Sequence, residues 1–81
     1  MTQTPTKNTN SFLLFEERKR SGEMVRIWHT PNRTRAGGSY RAEVELEDGT
    51  LYHEGLHQSY IEAVKDAYKG AAHYYLKVKG R

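Results

Sequence analysis

Tyr40-Arg41-Ala42-Glu43-Val44-Glu45-Leu46-Glu47-Asp48-Gly49-Thr50-Leu51-Tyr52-His53 is the stretch whose reading decides the fold. Tyr40, Ala42, Val44 and Leu46 alternate with Arg41, Glu43, Glu45 and Glu47, the period of two expected of a strand buried on one face. Asp48-Gly49 is the dipeptide favoured by type I′ hairpin turns, whose two central residues both need positive φ. Such a turn sets Leu46 opposite Leu51 and Val44 opposite His53. Further on, Ser59-Tyr60-Ile61-Glu62 has the form of a capping box, in which Ser and Glu satisfy each other's unpaired N–H groups. Ile61, Val64, Tyr68, Ala71, Tyr75 and Val78 then recur at spacings of three and four, predicting one long helix with a continuous apolar stripe. A hairpin leading into an amphipathic helix implies an α+β domain.

Upstream, Ser11–Arg20 is expected as a helix. It has Asn10 or Ser11 as N-cap, no β-branched residue from Phe12 onward, a Glu16–Arg20 pair and Gly22 as a stop. The competing strand reading makes Ser21-Gly22 a hairpin turn, with Phe15 opposite Trp28 and Glu17 opposite Arg26. Met24–Thr30 reads as a strand ended by Pro31. Thr30–Ser39 reads as a loop without acidic residues. The expected order is therefore αβββα: a three-stranded antiparallel sheet with the long C-terminal helix packed across one face.

The chain has 81 residues, enough for a single domain over 11–81. Residues 1–10 hold four Thr, two Asn and a Pro and are expected to form a disordered tail. About seventy residues lie near the lower limit for independent folding, so a homodimer or another partner is a natural way to complete the core. The absence of cysteine excludes disulfides and thiolate metal sites and suits a cytoplasmic protein. The longest apolar run, Phe12–Phe15, is too short for a membrane span or signal peptide. So short a chain would suit a phage or mobile-element accessory protein.

Charge is unevenly spread. Residues 1–41 carry eight Lys/Arg against three Glu, whereas residues 42–81 carry five against seven acidic residues. That segregation points to a polyanion partner. Arg33 and Arg35, next to Asn32 in a glycine-terminated loop, are suited to forking onto phosphates. No catalytic arrangement emerges, so neither an enzyme nor a cofactor is expected. His53 and His57 have no third ligand at a convincing spacing. Glu43, Glu45 and Glu54 read as the wet face of a strand, shared with Tyr52. That face offers an alternative function, a small adaptor or inhibitor binding a basic protein through Glu43, Glu45, Glu54 and Tyr52.

With the aromatic Tyr40, the turn Gly49, then Gly55, Ser59 and Ala63 at four-residue steps and Ala67 and Ala71 beyond, the chain resembles the double-stranded RNA-binding domain over about 11–76. The resemblance implies a non-enzymatic module for duplex RNA. Asn32, Arg33 and Arg35 would enter a minor groove, and Glu17 and Arg20 would take the first-helix role. Where that family starts its last helix with lysines this chain has Tyr60 and Ile61, leaving Lys65 and Lys69 as the nearby phosphate contacts. Gly55, Ser59, Glu62 and Ala63 also resemble the step found in the sheet-plus-helix DNA-binding domains of plant ethylene-response factors and some phage integrase arms. Those domains read the major groove with the exposed sheet face, where Glu43, Glu45 and Glu54 are expected to repel phosphate. That ranks the RNA reading first.

Overall fold

In a computed structural model of the chain, residues 11–30 and 38–79 are described. Four antiparallel strands, β1 (Phe12–Arg18), β2 (Met24–His29), β3 (Tyr40–Glu45) and β4 (Leu51–His57), pair in the order β1-β2-β3-β4. The helix α1 (Tyr60–Tyr74) follows and ends in a π-helical turn, Tyr75–Lys79. The α+β class holds, and the long C-terminal helix lies on one face of the sheet. The expected tail, residues 1–10, lies outside the described residues, as does 31–37.

The segment expected as a first helix is β1, so the order is ββββα and the sheet has four strands. Helix propensity there is a weak prior, outweighed by a full antiparallel ladder to β2. The hairpin register also differs from the strand reading. Phe15 faces Ile27 and Glu17 faces Val25, because the turn takes three residues rather than two. Lys19 N donates to Glu23 O at 2.8 Å and Gly22 N to Lys19 O at 2.8 Å, with Gly22 at φ 106°. One residue of slip moves Phe15 onto the buried face, beside Ile27, and away from Trp28.

The β3–β4 turn repeats this design. Leu46 N donates to Thr50 O at 2.8 Å, Gly49 N to Leu46 O at 2.9 Å, and Gly49 has φ 92°. Both hairpins use the three-residue loop in which a type I turn is followed by a left-handed glycine, rather than the two-residue type I′ turn. Asp48 Oδ1 accepts from Thr50 N at 2.9 Å and fixes the loop. Val44 faces His53 as expected, but Leu51 faces Glu45. Tyr52 is the extra, bulged residue that absorbs the difference.

The core comprises Val25, Ile27, Ala42 and Val44 from the sheet and Ala63, Ala67 and Ala71 from α1. Ser59 caps the helix, its hydroxyl accepting from Glu62 N at 3.2 Å. The expected apolar stripe is only partly the buried face: Ala71 is in the core and Val64 and Tyr68 are half-buried against it. Ile61, Tyr75 and Val78 are half or more exposed, while Ala63, Ala67, Gly70 and Ala71 meet the sheet. Small side chains let the helix approach β2, β3 and β4 closely, and the larger ones are displaced to its β1 flank. At Gly70 an added Cβ would come within 2.8 Å of the His53 ring.

Gly70→Ala should therefore destabilise the fold by about 1–3 kcal/mol through overpacking, against the roughly 1 kcal/mol that helix propensity alone would add. Urea unfolding of G70A in wild-type and His53→Ala backgrounds checks this. Most of the penalty should vanish once the ring is gone, and a stabilised G70A single variant would contradict the packing account.

Candidate nucleic-acid interface

The residues expected to contact nucleic acid fall in three separate places. Arg20 is exposed in the β1–β2 turn. Asn32, Arg33 and Arg35 lie outside the described residues, in the loop whose base is closed by Thr30 N donating to Ser39 O at 2.9 Å. Turn and loop sit at opposite ends of β2, which is six residues long, or about 20 Å. Lys65 and Lys69 are exposed on α1 and line a shallow cavity of about 370 Å³ with His57, Glu62 and Asp66. Glu17 stands on a strand and accepts a hydrogen bond from the Tyr68 hydroxyl. The first-helix role assigned to Glu17 and Arg20 therefore has no helix to carry it.

The helix leaves the other face of the sheet open, and the register fixes what is there. Glu16, Arg26, Glu43 and Glu54 form one cross-strand row, and Leu13, Trp28, Arg41 and Leu56 form the next. Glu43, only 5% exposed, is the hub. Its Oε1 accepts from Trp28 Nε1 at 3.0 Å, Arg41 lies 3.4 Å from its Oε2 and Arg26 lies 3.7 Å from its Oε1. Arg26 also binds Glu16 at 2.8 Å and Glu45 at 2.5 Å. Burial works against the Arg26 charge, but these hydrogen bonds outweigh it and hold its pKa above the usual value. Arg41 reaches Glu54 at 3.3 Å and lies 5.9 Å from the centre of the Trp28 ring.

The acidic row is thus not a bare acidic surface. Its carboxylates are bridged by two arginines, a pairing across strands that no one-dimensional spacing discloses. Tyr52 does not share this face. As the bulged residue it turns toward the helix, where its hydroxyl meets His73 Nδ1 at 2.7 Å and its ring packs edge-on to Tyr74.

On the helix side, Asp66 is clamped between two imidazoles, His53 Nε2 at 2.9 Å from Oδ1 and His57 Nε2 at 2.8 Å from Oδ2. An ionised carboxylate only accepts, so both rings must carry their proton on Nε2. Gly55 makes room for the clamp, since a Cβ there would lie 2.4 Å from Asp66 Oδ2. Burial would raise the Asp66 carboxyl, but the hydrogen bonds from His57 and His53 outweigh it and hold its pKa below the usual value. Along the sequence the two histidines have no third group at a convincing spacing. Their shared partner lies across the fold, on α1.

No group of His, Cys, Asp and Glu among the described residues could hold a metal ion, and no helix among them is long and apolar enough to cross a membrane. No protein-family model, curated protein or solved structure matches the chain.

Two outcomes follow from this geometry. Glu43→Ala leaves the Trp28 Nε1–H without its acceptor and takes one carboxylate partner from each of Arg26 and Arg41, and should cost about 1–3 kcal/mol, whereas Glu54→Ala, at an exposed pair, should cost less than about 1 kcal/mol. Thermal melts of the two variants check the difference. Because Asp66 titrates below its unfolded value of 3.8, its stabilisation is present above that pH and is lost as pH falls through the folded pKa. Asp66→Asn should lack that acid-dependent step in urea midpoints measured across the acid range.

Proposed function

We propose that the chain is a non-enzymatic nucleic-acid-binding module that docks duplex DNA through the open face and loop end of its sheet. The observation that carries this reading is the place of Trp28 and Arg41. They are cross-strand partners on the two central strands, at the end from which the basic loop springs. Thr30 and Ser39 close that loop's base, so the chain tethers Arg33 and Arg35 within a few residues of the pair. A twisted antiparallel sheet fits the major groove of B-form DNA, whereas the narrow major groove of A-form RNA excludes it. The duplex-RNA reading drew on a first helix, and β1 occupies that segment.

The objection that the carboxylates of this face repel phosphate is weakened, since Glu16, Glu43, Glu45 and Glu54 are each bridged to Arg26 or Arg41. The same pairing draws support away from the basic-protein alternative, which needs those charges free and Tyr52 beside them. Lys65 and Lys69 stand on the helix, away from the open face, and are not assigned a contact.

Fluorescence anisotropy with labelled duplex DNA and duplex RNA across a salt series tests the proposal. DNA affinity should fall linearly with log salt, and Arg33→Ala/Arg35→Ala should make the slope shallower by about 2. RNA bound more tightly than DNA would restore the groove-loop reading. Absence of binding to either at low salt would overturn nucleic-acid recognition.

A further inference from the structure

The helix is set off-centre on the sheet. It packs on β2, β3 and β4, and no Cα of α1 comes within 8 Å of a Cα of β1. β1 therefore overhangs, an edge strand paired on one side only. Its Phe15 packs against the core and meets Tyr68 of the helix, with ring centres 6.3 Å apart. Beside β1 the helix presents Tyr68, half-buried against the core, and Tyr75, 50% exposed. Between the β1–β2 turn and the C-terminal half of the helix opens a groove, a cavity of about 630 Å³ whose apolar wall is Tyr68, Ala71, Ala72 and Tyr75.

The chemistry at that end is mainly basic, although the Glu47 carboxylate also lies against Gly22. Arg18, Lys19 and Arg20 stand at the mouth, with Tyr68, Ala71, Ala72 and Tyr75 behind them. The two acids of the lining are engaged internally: Glu17 accepts from the Tyr68 hydroxyl, and buried Glu23 accepts from Ser21 Oγ at 2.7 Å. The three cations form no ion pair among the described residues. Lys19 lies over the Tyr68 ring at 4.9 Å.

We propose that this groove is a docking site for an acidic, extended peptide segment of a partner protein, added as a fifth strand along β1. Main-chain pairing to the β1 edge supplies affinity, and alternate side chains supply specificity. Apolar side chains pointing to the helix side fill the groove against Phe15, Tyr68 and Tyr75. Carboxylates at the turn end meet Arg18, Lys19 and Arg20. The cavity lies on the helix side of the sheet, opposite the open face to which Arg18 belongs by its pairing with Met24; Lys19 and Arg20 therefore carry the test, and the two surfaces can fail independently.

The test is an NMR titration of the isotope-labelled full chain with a short synthetic peptide alternating Glu with Val and Phe, against the same peptide with Lys in place of Glu. Saturable shifts confined to β1 amides and to Tyr68 and Tyr75, for the acidic peptide only, are expected. Lys19→Glu/Arg20→Glu, in an exposed turn, should weaken that binding about tenfold or more. A bulky Ala72→Arg at the groove wall should abolish it while leaving DNA binding unchanged. Equal shifts with the Lys peptide, shifts elsewhere, or none at all would overturn the proposal. So would sedimentation showing that a second copy of the chain occupies β1, or displacement of the peptide by duplex DNA.

Discussion

The close approach of α1 to the central strands is the constraint from which the rest of the molecule follows. Ala63, Ala67, Gly70 and Ala71 offer the sheet almost no side chain, so the helix settles low over Val25, Ile27, Ala42 and Val44. At about 0.8 kcal/mol for each buried methylene, so small a set of side chains contributes modest burial. The helix is then lashed along both flanks by polar contacts. His53 and His57 hold Asp66 and Tyr52 holds His73 on the β4 side, and Glu17 holds Tyr68 on the β1 side. There burial, followed by the Glu17 hydrogen bond and charge, pushes the Tyr68 hydroxyl up to about 12. Glycine is required at Gly38 too, where φ is 89° and a Cβ would lie 2.0 Å from the His57 carbonyl oxygen. That contact seats the end of the β2–β3 connection against the end of β4.

What was legible in the sequence was local. The alternation around Val44, the glycine turn, the Ser59 cap and the long helix all rest on neighbouring residues, and all four are present. The type of turn was not legible, because Asp48-Gly49 serves both the two-residue loop and the three-residue one. The choice between them depends on the bulge at Tyr52. The helix reading of residues 11–20 failed where an edge strand's fate is set by its partner rather than by its own propensities. The helical stripe was partly misassigned for a related reason. Periodicity finds an apolar face, but an adjacent stripe of alanines and a glycine carries little hydrophobic weight while packing more closely. Of the candidate site, Glu43 and Glu54 were placed on the correct face, and the two arginines that bridge them could be found only once the register was fixed.

Along the sequence, basic and acidic residues separate into halves, which suggests a bipolar surface. An antiparallel meander undoes the separation by laying the first half across the second. Arg26, from the basic half, sits between Glu16 and Glu45, and Arg41 sits between Glu43 and Glu54. The open face thus spends its charges on itself, and its Trp28–Arg41 pair is held in place by Glu43 rather than free to wander.

The net charge of +3 must then be expressed elsewhere, and topology dictates where. Strand positions pair their charges across the ladder, whereas turns and loops have no ladder to pair with. Among the described residues, and apart from Lys65 and Lys69 exposed on the helix, the cations outside the ladder lie at the turn end of the sheet. Arg18, Lys19 and Arg20 lie at the end shared with the helix C-terminus and Lys77 and Lys79, and the Arg33–Arg35 loop is tethered at the other. Opposite ends, about 20 Å apart along β2, cannot serve one compact ligand. An elongated polyanion could touch both, but the two ends differ in what accompanies the charge. The loop end adjoins the open face with its indole and guanidinium, and the turn end opens onto an apolar groove walled by tyrosines. Cations beside a flat polar sheet favour a phosphate backbone, and cations at the mouth of an apolar groove favour a carboxylate-bearing peptide. It is the company of the charge, more than its amount, that separates the two surfaces.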